Sequence, residues 1–133
     1  MIELRSDGIS LNFDPDFGMI AGFFVTDLGK RVAPLHKAPW VGTGEEMPQD
    51  AAPHLAKLGG DFFCAPFGTE IDGAPLHGWP ANARWTIDAH REDLVSATLP
   101  KRVSGALLTK TIALKSAHPF VYQEHKFSGG FGV

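Results

Sequence analysis

Glycine and proline punctuate this chain from end to end, fifteen Gly and ten Pro scattered without a period. Glycine opens backbone angles closed to other residues, and proline cannot donate to a helix or a sheet ladder. Such punctuation allows short strands joined by many turns and leaves no room for a fibrous repeat. The stretches between the breaks agree. Ile9, Leu11 and Phe13 alternate with Ser10 and Asn12, the period of a half-buried strand. Asp14-Pro15-Asp16 with Gly18 predicts a turn, and Met19 to Val25 an apolar strand. Val32 to Leu35 predicts one more short strand, completing a small antiparallel meander.

From Ala38 to Gly60 the pattern turns irregular, with Pro39, Pro48 and Pro53 and one short helical possibility over Ala52 to Leu58. Trp40, Leu55 and Leu58 give this segment something to pack with, so it reads as a long ordered loop and not as a linker. Strand signals return over Arg84 to Ile87, Leu94 to Leu99, Leu107 to Leu114 and Phe120 to Phe127. In the last of these, Val121, Gln123, His125 and Phe127 share one face, while Phe120, Tyr122, Glu124 and Lys126 share the other. The expected fold class is all-β with few helices, in one domain without an internal boundary over residues 1–133.

Several function classes are disfavoured by composition. The formal net charge is -3 with both signs mixed, and Lys101-Arg102 is too short a basic run to grip a phosphate backbone, so nucleic acid is not an expected partner. No apolar run is long enough to span a bilayer, and MIELRSDG carries charges where a signal peptide needs an apolar core. The single cysteine, Cys64, permits no internal disulfide and fits a reducing cytoplasm. No His, Cys or carboxylate spacing matches a metal motif, so no metal is expected.

Two segments concentrate residues able to do chemistry. The first is Leu58-Gly-Gly-Asp-Phe-Phe-Cys-Ala-Pro-Phe-Gly68, where Gly59 and Gly60 allow close backbone approach, Asp61 follows, and Phe62, Phe63 and Phe67 supply aromatic surface. It lacks the Lys-Ser/Thr ending of a phosphate loop. The second runs from Pro75 to Trp85 and gathers His77, Trp79, Asn82, Arg84 and Trp85. Hydrogen-bonding groups beside aromatic plates suit a polyhydroxylated ligand, with the plates covering the C–H face of a sugar ring. The same residues also suit a turn in which Trp79 and Trp85 are core and Arg84 is solvated. His36, His54, His90 and His118 sit in loop-like surroundings and are expected to be mostly exposed. Cys64 reads as a small buried residue and not a nucleophile.

Taken in order, the meander, Gly-Gly-x-Phe-Phe-x-x-Pro-Phe-Gly, His77-Gly-Trp-Pro80 and Trp85 resemble the opening half of the aldose 1-epimerase family in the galactose mutarotase-like superfamily, in a divergent member. The resemblance implies an antiparallel β-supersandwich of about twice this length, a size compatible with one all-β domain. It implies a cofactor-free isomerase interconverting α and β anomers, with a glutamate base at the C1 hydroxyl and a histidine acid at the ring oxygen. His77 matches the family's substrate-binding histidine. Asp61, Phe67, Trp79 and Arg84 are the further expected substrate contacts. The catalytic histidine matches either His125 or, in a second alignment, a residue after the next turn and past Val133. The general-base glutamate has no counterpart in this sequence.

On this reading the chain is the first portion of a longer sugar-binding domain, its partner a monosaccharide or sugar derivative. A half sandwich would expose an apolar sheet face and an unpaired edge, inviting pairing with another chain. A non-catalytic carbohydrate-binding module and a structural or interaction β-sandwich are the alternatives.

Overall fold

The computed structural model describes residues 1–67 and 73–131, so Gly68 of the first segment and the terminal Val133 lie outside the described residues. The fold is all-β with two antiparallel sheets. The first joins β1 (Ile2–Ser6), β2 (Ile9–Asp14), β3 (Met19–Asp27) and β4 (Lys30–Val32) in that order, with β5 (Asp61–Phe62) also on β3. The second is a four-stranded meander of β6 (Thr86–Arg91), β7 (Leu94–Val103), β8 (Ala106–Lys115) and β9 (His118–Ser128). Between them lie a 3-10 turn, Pro53–Lys57, and one short helix, α1 (Gly78–Asn82).

Alternation explains how the sheets meet. Ile9, Leu11 and Phe13 of β2 are buried, as are Ala106, Leu108, Lys110, Ile112 and Leu114 of β8, and the residues that alternate with them are more exposed. These faces share one core with Leu4, Ile20, Val95, Leu99 and Trp85. Each large apolar side chain enclosed there contributes roughly 1.5–3 kcal/mol. Trp85 ties the layers together: its backbone N–H donates to Pro15 O at 2.7 Å and its indole N–H to Pro80 O at 2.9 Å.

Three sequence expectations need correction. A strand at Ile2–Ser6 was not anticipated, although Asp7-Gly8 at φ 31° and 78° forms the tight turn that pairs it with β2. The strand expected over Val32 to Leu35 instead covers Lys30–Val32, closed onto β3 by the Leu28-Gly29 turn. In the Pro75 to Trp85 segment, for which a turn was one of two readings, Gly78–Asn82 is helical, and Asn82 closes hydrogen bonds back onto the segment's own carbonyls. The long loop does pack, with the Trp40 indole donating to Leu55 O at 2.8 Å. Among the described residues no helix is long and apolar enough to cross a membrane.

Candidate functional site

Strand β5 and the residue after it, Phe63, divide the candidate residues into two groups. Successive side chains of an extended segment face opposite ways. Phe62 therefore turns toward His54 and His77, with ring centroids 5.3 and 5.6 Å away, while Asp61 and Phe63 turn toward β9. Gly60 enables the entry to this segment: it sits at φ +67° against the carbonyl of Ile20, where a Cβ would lie 1.8 Å from the oxygen.

The first group is a hydrogen-bonded chain. His54, wholly buried at the 3-10 turn, places Nδ1 2.8 Å from Asn82 Oδ1, and its backbone N–H donates to the same oxygen at 3.2 Å. Asn82 Nδ2 donates to the carbonyls of Leu76 and Gly78, each at 2.8 Å. His54 Nε2 lies 2.8 Å from His77 Nδ1. His77 itself stands at φ 70° immediately before α1, and Gly78 follows at φ 74° so close to Ala65 O that no side chain fits. Burial is the first cause holding the His54 pKa below its ordinary value; Asn82 opposes it and the His77 charge adds to it.

Trp79 projects from α1 to the rim of an open groove of about 630 Å³ lined also by Pro53, Gly73, Ala74 and Pro75. Lys101 of β7 lies over its ring, 4.8 Å from the centroid. His77 does not line that groove.

The second group centres on β8 and β9, where Lys110 and His125 are cross-strand partners. His125 stacks on Phe63 at 3.9 Å and 12°, and its Nε2 is buried without a hydrogen-bond partner. Burial first, then the Lys110 charge, bring its pKa down to about 4, with Asp61 opposing. His125 is therefore a neutral imidazole at neutral pH in this arrangement, suited to accept a hydrogen bond. Lys110 is almost fully buried, donates to Gly18 O, and lies 5.3 Å from the Trp85 ring and 5.8 Å from that of Phe13. Burial lowers its pKa to about 8. Asp61 accepts from Gln123, and Cys64 is a half-buried free thiol whose pKa burial raises.

Of the residues singled out in the sequence, His77 and Asn82 are joined through His54, and Asp61 lies beside the His125 group. Arg84 turns away to an exposed ion pair with Asp16, Trp85 is core, and Phe67 is exposed without a described partner. His54 is a correction: a histidine expected at the surface is the most enclosed of the six. Its neighbours in sequence carry no sign of this, because Asn82 is 28 positions away. Lys110 had a readable signal, since the alternation of β8 puts it on the buried face with Leu108 and Ile112. Comparison of the chain with family models, curated proteins and solved structures found no match.

Proposed function

We propose that this chain forms the sugar-binding part of a galactose mutarotase-like β-sandwich in a reducing cytoplasm, with His77 as its principal polar contact to a monosaccharide. The observation that carries the reading is His77 itself. Its ring is half-exposed, Nδ1 is committed to buried His54, Phe62 packs on it, and among the described residues Nε2 has no hydrogen-bond partner. A directed, anchored imidazole beside aromatic surface is the arrangement that hydroxyl recognition needs. Trp79, two residues on, offers an aromatic plate at an open groove. The fuller reading, anomer interconversion as in aldose 1-epimerases, rests on the resemblance of the Gly-Gly-x-Phe-Phe and His-Gly-Trp-Pro segments, with no matching general-base glutamate in this sequence.

The burial of Trp85 and the outward turn of Arg84 favour a competing role for the Pro75 to Trp85 segment as framework alone. Calorimetric titration with D-glucose and D-galactose decides between them. Saturable binding that weakens about tenfold or more in His77→Ala, the cost of one hydrogen bond to the ring, is the expected result. Absence of saturable heat at millimolar sugar overturns the binding proposal. Faster mutarotation by polarimetry would add the isomerase activity.

A further inference from the structure

The chain Asn82–His54–His77 has a fixed hydrogen-bonding direction. A backbone N–H can only donate, so the contact from His54 N identifies the Asn82 side-chain atom facing it as oxygen. The other end of the same amide agrees, because it faces two carbonyls and must be the NH₂. Asn82 Oδ1 then requires a proton on His54 Nδ1. With His54 buried and neutral, its Nε2 is a bare acceptor, and His77 must supply the proton from Nδ1. Neutral His77 is left with an unprotonated Nε2.

We infer that His54 and Asn82 are positioning residues that hold His77 as a hydrogen-bond acceptor, so that its ligand presents a hydroxyl proton to Nε2. The chain is matched to that task in a second way. A proton arriving at His77 Nε2 leaves every hydrogen bond in it intact, whereas one arriving at His54 Nε2 sets two N–H groups head to head. Phe62 lies against both imidazoles and shields the link between them. The ligand half of the inference rests on the sugar-binding reading and deepens it: the group that meets His77 Nε2 is a sugar hydroxyl acting as donor. The tautomer half stands independently of any ligand.

The test begins with ¹⁵N-detected histidine spectra of the intact chain above the imidazole pKa range. The expected result is His77 protonated at Nδ1 and imine-like at Nε2. A His77 found mainly as the Nε2–H tautomer, the form free histidine prefers, overturns the inference. His54→Phe removes the acceptor and should shift His77 toward Nε2–H. His54→Gln, whose carbonyl can replace Nε2 and whose amide can reach Asn82, should restore the Nδ1–H form. A His77 tautomer that is the same in wild type and a folded His54→Phe shows that His54 does not position it. In the ligand arm, D-glucose and D-galactose are compared with their methyl glycosides and monodeoxyfluoro analogues, each of which lacks one hydroxyl proton. Binding of the free sugars about tenfold or more tighter, with movement of the Nε2 resonance, supports the assignment. Equal affinity overturns the ligand half alone. If no sugar binds while the tautomer is as expected, the sugar-binding reading falls and the positioning role stands.

Discussion

Asn82 shows how one side chain can set local structure and chemistry together. Its amide closes the Pro75 to Asn82 segment by donating to Leu76 and Gly78, and its oxygen takes two N–H groups from His54. Replacing it with alanine leaves buried donors and acceptors without partners, each at about 1–3 kcal/mol. Asn82→Ala is therefore expected to lower unfolding free energy by at least about 2 kcal/mol in urea titrations. An unchanged midpoint would mean that water replaces the amide freely. The sequence drew attention to Asn82 only as one polar group among several. Its partner was invisible there, because a histidine's burial depends on what the distant chain lays over it.

At the scale of elements, β9 is the exposed flank of the molecule. It spans His118–Ser128 and, among the described residues, pairs only with β8. Its inner face is half covered by Phe63 and Asp61, while Phe120 and Tyr122 stand exposed on the outer one. Eleven residues of open backbone beside exposed aromatics favour strand addition. The chain is thus expected to self-associate with rising concentration in sedimentation velocity. A Phe120→Lys, Tyr122→Lys pair should return the mass toward 14.4 kDa. Association that is indifferent to the pair would assign the contact to another surface. The alternation of β9 was legible in the sequence; its position at the end of the β6-β7-β8-β9 sheet and the covering by residues 61 to 63 were not.

For the molecule as a whole, the two sheets meet around a cation. Lys110 sits on the core face of β8, held by the Gly18 carbonyl and the rings of Trp85 and Phe13, with Asp61 and His125 the neighbouring charged or titratable groups. Its folded pKa of about 8 lies below the ordinary 10.5, so between those values the unfolded chain binds more protons and stability rises with pH. The full rise is on the order of 3 kcal/mol. His54 and His125 are also lowered from 6.5, the latter to about 4, and stability is accordingly lost as pH falls through that window. Urea midpoints across pH should show both slopes. Lys110→Met should remove the alkaline rise and keep the acid slope. An alkaline rise that survives the substitution would place the titrating group elsewhere.

What the sequence determined by itself was the local alternation: which residues of β2, β8 and β9 face inward, where turns interrupt them, and that the result is all-β. These follow from a two-residue period and from Gly and Pro, both properties of neighbours along the chain. Only the tertiary structure decided that Phe62 and Phe63 serve different histidines, that Arg84 leaves the cluster for Asp16, and that His54 stands behind His77. Those outcomes depend on segments far apart in sequence meeting across a shared core. Burial and hydrogen-bond partnership are properties of that meeting, and no local pattern encodes them.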